Sequence, residues 1–101
     1  MEKQKPTYDL EAIKRAIGSG QTVAMTRTAI TSAAELGFGT DDVAGVIMSV
    51  KRNMFFKSMT TFANHRVWQD VYHVPVEGLW LYIKFQEDVM TEFKVMSFKE
   101  L

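Results

Sequence analysis

The strongest constraint on the fold of this chain is a strict two-residue alternation between positions 79 and 86. One side of an extended chain would be apolar and the other would carry polar tips: Leu79, Leu81, Ile83 and Phe85 against Trp80, Tyr82, Lys84 and Gln86. Successive side chains of a strand point to opposite faces of its sheet, so this pattern predicts a strand buried on one face only. The second face, with a phenol and a lysine, is either a surface for RNA or an ordinary solvated face.

The first half of the chain is predicted to be helical. Capping residues, apolar stripes at helical spacing and closing glycines indicate three helices. They cover positions 10–17 after Asp9 or Thr7 and before Gly18 and Gly20, positions 29–36 between Thr26 and Gly37, and positions 43–50 after Thr40. A short apolar segment at positions 23–25 is predicted to be a brief strand.

The second half is predicted to consist of strands. Aromatic and β-branched residues or alternation mark four of them, at positions 54–62, 66–72, 79–86 and 89–98, with breaks at Ala63-Asn64, from Pro75 to Gly78, and at Glu87-Asp88. Helices followed by a run of strands indicate an α+β fold, with the helices on one face of a largely antiparallel sheet. The length of 101 residues predicts a single domain over positions 1–101.

Composition excludes several kinds of chemistry. The chain has no cysteine, and its two histidines, His65 and His73, are its only neutral nitrogen ligands, so we expect no metal site. No glycine-rich phosphate loop or nucleophile elbow is present, and we expect no organic cofactor. The N-terminus does not look like a signal peptide, and no segment approaches the roughly 18 apolar residues of a membrane span. We therefore expect a cytoplasmic protein with no membrane partner.

A basic and aromatic segment lies inside a chain whose formal net charge is zero. Between positions 51 and 73 four cationic side chains and five aromatic ones accompany a single acidic residue, Asp70. Cations and rings interleaved on strands suit single-stranded RNA, because cations meet phosphates and rings stack on unpaired bases. Trp68 and Tyr72 share one strand face, an arrangement that is also typical of a protein core. A non-catalytic RNA-binding domain and a protein-interaction module therefore remain alternatives.

Several short segments resemble the MqsR (motility quorum-sensing regulator) toxin family across nearly the whole chain. They are Lys57-Ser58-Met59-Thr60-Thr61, Trp68-Gln69-Asp70-Val71-Tyr72, Tyr82-Ile83-Lys84 and Ser97-Phe98-Lys99-Glu100, with Gly20-Gln21, Thr26-Arg27 and Glu35-Leu36-Gly37 in the helical half. The resemblance implies a RelE-like fold and an endoribonuclease toxin that cuts single-stranded mRNA, with a preference for GCU, and so stops translation and growth. It also implies a cognate antitoxin with a zinc-binding N-terminal domain and a helix-turn-helix DNA-binding domain.

The same resemblance implies the catalytic residues. Lys57, Gln69 and Tyr82 match the family's catalytic positions, and Lys99 is a further candidate. Four residues are expected to bind RNA: Arg66, Trp68, Lys84 and Lys99. In metal-free cleavage by the ribose 2′-hydroxyl, Lys57 would stabilise the phosphate charge and Gln69 would orient the substrate. The roles of acid and base remain open between Lys57 and Tyr82.

The chain departs from the family pattern at two places. His73-Val74-Pro75 stands where more positive charge is expected, and the turn between positions 86 and 90 is about two residues longer than expected. The second departure affects the register of the last strand, and therefore the position of Lys99.

Overall fold

The computed structural model of the protein describes residues 1–18 and 23–101. Within these ranges three helices lie on one face of a five-stranded antiparallel sheet, so the α+β prediction is confirmed. The elements are β1 (Glu2–Lys3), α1 (Leu10–Ile17), α2 (Arg27–Glu35), α3 (Thr40–Met48), a 3-10 turn (Arg52–Met54), β2 (Phe55–Thr60), β3 (Trp68–Val76), β4 (Leu79–Asp88) and β5 (Glu92–Glu100). The strands lie side by side in chain order. No described helix is long and apolar enough to cross a membrane.

The helices begin and end close to their predicted positions. Asp9 precedes α1 and Gly18 follows it, whereas Gly20 and Gln21 lie outside the described residues. Thr26 caps α2, because its hydroxyl accepts a hydrogen bond of 3.0 Å from the amide of Ala29. The N-cap of α3 is Gly39, and Thr40, the predicted cap, is the first helical residue.

The core lies between the helices and one face of the sheet. Leu81, Ile83 and Phe85 have no exposed surface and belong to one hydrophobic cluster with buried residues of all three helices, against which Leu79 also packs. The alternation of β4 is thus confirmed: its apolar side is the helix-covered face, and its polar side is turned away from the helices.

The bounds of all four predicted strands differ from the prediction, and the differences at the ends of β3 and β4 have local causes. β3 continues through Pro75 to Val76, and a two-residue turn follows at Glu77 and Gly78, both with positive φ. Proline has no amide hydrogen to donate, and it is tolerated at this position because pairing with β2 ends at Tyr72. No β2 acceptor therefore lies opposite Pro75.

The predicted turn at Glu87-Asp88 is wrong, because both residues lie in β4. The Asp88 carboxylate instead accepts hydrogen bonds from the amides of Met90 and Thr91, each 3.0 Å long, and so builds the turn two residues later. β5 therefore begins at Glu92 and not at position 89.

No helix or strand is predicted before position 10, and the structure places the N-terminal segment in the sheet. β1 pairs with β2, so that Glu2 lies opposite Met59. Positions 23–25 form a single bridge, from Met25 to Val95, and not a strand. Between β1 and α1, the amides of Thr7 and Tyr8 donate to the carboxylate of Asp70, which is fully buried.

Two bulges interrupt the regular pairing of the sheet. In β2 the register shifts between Phe55, which lies opposite Tyr72, and Lys57, which lies opposite Val71. In β5 the register shifts at Met96, between Val95 and Ser97. Each extra residue moves the side chains that follow it to the opposite face of the sheet.

Candidate active site

The face of the sheet turned away from the helices, here called the open face, carries most of the candidate residues. Neighbouring strands contribute side chains that share this face by register: Phe56, Lys57 and Met59 from β2; Gln69, Val71 and His73 from β3; Trp80, Tyr82, Lys84 and Gln86 from β4; and Lys94, Ser97 and Lys99 from β5. None of these side chains belongs to the hydrophobic core formed with the described helices. Four lysines are therefore concentrated on one surface of a protein whose net charge is zero.

Lys57 occupies the open face because of the bulge in β2. In a strand without the bulge, residues 55 and 57 would share a face. Lys57 would then lie on the side of Phe55, whose ring packs on Tyr72 in the core. Its ammonium lies 3.2 Å from the carboxylate of Glu2 and 5.6 Å from the ring of Phe56. Because Glu2 is exposed, a phosphate oxygen could replace it at little cost.

Tyr82 lies at the centre of the open face, opposite His73 on one side and Lys99 on the other. The ammonium of Lys99 is 5.1 Å from the centre of its ring. Burial raises the pKa of Tyr82 above its ordinary value of 10.0, and the charge of Lys57 opposes that shift. The phenol therefore keeps its proton at neutral pH and can donate it.

Lys84 lies on the same face as Lys57 and Lys99, and its pKa is lowered from the ordinary value of 10.5. Burial is the main cause, and the charges of Lys99 and Lys57 add to it. A lysine held in this way gives up its proton more readily than an exposed one. The open face thus combines a phenol whose pKa is raised with an amine whose pKa is lowered.

Gln69 is nearly buried, with 8% of its surface exposed, yet it lies on the open face. Its side-chain NH₂ donates a hydrogen bond of 2.8 Å to the side-chain oxygen of Gln86, directly opposite on β4. This bond fixes the orientation of the amide, and the oxygen of Gln69 remains available as an acceptor.

Two of the residues predicted to bind RNA lie apart from this group. Trp68 shares the helix-covered face with Asp70 and Tyr72, and the ammonium of Lys3 lies 4.1 Å from the centre of its ring. Arg66 is exposed in the loop before β3, at the rim of a cavity of about 660 Å³ that also includes Glu87. Lys84 and Lys99 do lie beside Tyr82. RNA binding by any of the four remains a prediction.

The structure adds His73, which the sequence presented only as a departure from the family pattern. Its ring stacks on Phe56 with 4.1 Å between ring centres, and lies 6.1 Å from the ring of Tyr82. Burial lowers its pKa below 6.5, and the charge of Lys57 contributes. Its Nε2 atom is covered and has no hydrogen-bond partner among the described residues. Period-two alternation in β3 could have placed it on the face of Gln69, had the strand been extended past Tyr72.

The arrangement can bind and polarise a phosphodiester. One face carries the phenol of Tyr82, an oriented amide and three lysines, at positions 57, 84 and 99. Cations stabilise the charge of a pentacoordinate phosphate, while a phenol and an amine can exchange the two protons that such a reaction moves. Among residues 1–18 and 23–101, no three side chains of the histidine, cysteine or carboxylate type are grouped as metal ligands.

Comparison with known proteins adds two findings. The model of a family described as "Motility quorum-sensing regulator, toxin of MqsA" matches residues 5–100. The chain is also 38% identical to the mRNA interferase toxin MqsR of Escherichia coli (strain K12) over 100 residues, which cover 99% of each chain.

Proposed function

The chain belongs to the motility quorum-sensing regulator (MqsR) toxin family, and we propose that it acts as an mRNA interferase through the lysines and the phenol of its open face. Its activity is that of an endoribonuclease toxin, which inhibits translation and growth by cutting mRNA. The observation that carries the assignment of the site is the grouping of Lys57, Lys84 and Lys99 around Tyr82.

In the proposed mechanism the ribose 2′-oxygen attacks the adjacent phosphorus and displaces the 5′-oxygen of the next nucleotide. Lys84, whose pKa is lowered by burial and by its neighbours, takes the 2′-hydroxyl proton in its neutral form. Tyr82 donates its proton to the leaving 5′-oxygen, and its raised pKa keeps the phenol protonated at neutral pH until that step. Lys57 stabilises the charge on the non-bridging oxygens. The products are a 2′,3′-cyclic phosphate and a 5′-hydroxyl, and no metal ion takes part.

Gln69 completes the proposed catalytic group as a substrate-orienting residue. Because Gln86 occupies its NH₂ group, its carbonyl oxygen is the atom that would meet a ribose hydroxyl or an amino group of a base. Lys99 would contact a phosphate beside Tyr82, and Arg66 and Trp68 would act only on more distant parts of the RNA.

Further parts of the proposal rest on the family resemblance. We propose that residues 1–101 form one toxin domain, that it acts in the cytoplasm, and that its preferred sites contain GCU. Its partner would be an antitoxin with a zinc-binding N-terminal domain and a helix-turn-helix DNA-binding domain. The E. coli relative is named as a toxin, and the family is described as the toxin of MqsA.

The test is cleavage of a defined mRNA by the purified protein in excess chelator. Discrete fragments are expected, and a kinase that labels only 5′-hydroxyls should label each downstream fragment. A 5′-phosphate, or complete loss of cleavage in chelator, would contradict the mechanism. Binding without fragments would support the non-catalytic RNA-binding alternative. In bacteria, expression without the antitoxin should arrest growth, and normal growth with folded protein present would contradict the toxin assignment.

A further inference from the structure

Trp80 is the largest exposed side chain on the open face, and neither the family resemblance nor the mechanism uses it. More than half of its surface, 56%, is exposed. It precedes Tyr82 by two residues in β4, so that both side chains point to the same face. Along a strand this spacing is about 6.6 Å, at roughly 3.3 Å per residue.

The position of Trp80 is fixed by the backbone. Its Cα lies opposite Pro75 of β3, and its carbonyl accepts a hydrogen bond of 2.8 Å from the amide of Leu101. Both neighbours hold the strand, and the Trp80 side chain stays more than half exposed. The indole therefore presents a flat surface to solvent beside the proposed catalytic phenol.

We propose that Trp80 is a stacking site for an unpaired nucleobase of the RNA, next to the phosphate that is cleaved at Tyr82. This inference rests on the proposed function. The lysines that share the face, at positions 57, 84 and 99, favour a polyanion as the occupant, because they can hold the backbone while the ring takes the base. Stacking on an aromatic ring tolerates every base. Trp80 therefore strengthens RNA binding without selecting the cleavage site.

The other tryptophan of the chain does not fit this role and provides the control. Trp68 lies on the helix-covered face beneath the ammonium of Lys3, and the hydroxyl of Tyr8 donates a hydrogen bond of 2.7 Å to its carbonyl. The chain has only these two tryptophans, so each single replacement leaves one fluorescent reporter.

The experiment combines fluorescence with kinetics. A single-stranded RNA with a 2′-deoxy nucleotide at the cleaved position is titrated into Trp68→Phe, in which Trp80 is the only indole. Its emission should be quenched in parallel with the anisotropy of labelled RNA. With an RNA too short to extend beyond the open face, the emission of Trp80→Phe should not change. Trp80→Ala should raise the KM for cleavable RNA about tenfold, or about 1.4 kcal/mol, with kcat and the cleavage sites unchanged. Trp80→Tyr, which keeps a ring, should restore most of the affinity.

The inference would be overturned if Trp80 emission did not change at saturating RNA and Trp80→Ala kept the wild-type KM. Cleavage by the wild-type protein in the same experiment would still support the proposed function. Wild-type protein that neither binds nor cleaves RNA would overturn both. A Trp80→Ala variant that binds RNA normally but loses binding to an antitoxin would show a protein contact in place of a base contact.

Discussion

Gln69 and Asp70 are consecutive residues of β3, almost equally buried, and they lie on opposite faces of the sheet. Asp70, on the helix-covered face, accepts hydrogen bonds from two backbone amides and from the hydroxyl of Ser58 at 2.6 Å. Gln69, on the open face, makes one side-chain hydrogen bond, to Gln86. Buried polar groups with a structural role are normally saturated with partners. Gln69 keeps its side-chain oxygen available as a hydrogen-bond acceptor, and a substrate could use it.

The largest expected effect is on the helix-covered face. Asp70→Ala should lower the free energy of unfolding by about 3 kcal/mol or more, because the amides of Thr7 and Tyr8 and the hydroxyl of Ser58 lose their acceptor. Urea unfolding measures the change. Asp41→Ala, an exposed acidic residue in the first turn of α3, is the control and should cost less than about 1 kcal/mol. Equal losses for the two variants would remove the contrast between the faces.

On the open face the expected loss is in rate and not in stability. Lys57→Ala, Gln69→Ala and Tyr82→Phe should each slow single-turnover cleavage about a hundredfold, or about 2.7 kcal/mol. For Lys57 and Tyr82, the free energy of unfolding should change by no more than about 0.5 kcal/mol. Lys14→Ala, in α1, is the matched control. Wild-type rates in the Lys57 and Tyr82 variants would place the active site elsewhere, and a large stability loss in Gln69→Ala would make Gln69 structural.

A smaller effect is expected from the partner of Gln69. Gln86→Leu removes the oxygen that accepts the hydrogen bond from Gln69, and should slow cleavage about tenfold, close to the ~1.4 kcal/mol of one oriented hydrogen bond. In a Gln69→Ala background the same substitution should have no further effect on the rate. Additive losses in this double-mutant cycle would show that Gln86 acts independently of Gln69.

The smallest effect concerns the pH dependence of stability. Burial and Lys57 lower the pKa of His73 in the folded state, so the unfolded chain binds a proton at a higher pH than the folded one. The free energy of unfolding should therefore fall as the pH drops from above 6.5 to below the folded pKa. The His73→Phe variant keeps a ring that can stack on Phe56 but cannot titrate. Its free energy of unfolding should therefore lack the contribution of His73 to the pH dependence. The measurement is urea unfolding of both proteins between pH 5 and 8. The same pH dependence of the free energy of unfolding in the wild type and in His73→Phe would contradict the prediction.

The sequence predicted those features that depend on local repetition. Alternation from Leu79 to Phe85 identified the buried side of β4, and the cap at Thr26 identified the start of α2. β1 was missed because two charged residues pair only when a distant strand is in place. The turn after β4 was misplaced because the side chain of Asp88, and not a glycine or proline, determines it.

The candidate site was predictable in part. Tyr82 and Lys84 follow from alternation alone, but the position of Lys57 depends on the bulge in β2. Gln86 and Trp80 were identified as neighbours on one face, yet their roles became visible only from a hydrogen bond and an exposed ring. The aromatic pattern also indicated Trp68, which the register of β3 places on the helix-covered face, beneath the ammonium of Lys3.

The two bulges have a consequence for protein engineering. Lys94 and Lys99 are five residues apart, an odd number, and share a face only because Met96 adds one residue between them. Phe56 and Lys57 are adjacent and share a face for the same reason in β2. A designer who transplanted these side chains onto a regular sheet would bury some of them. Any graft of this surface must copy the irregular backbone first, and the side chains second.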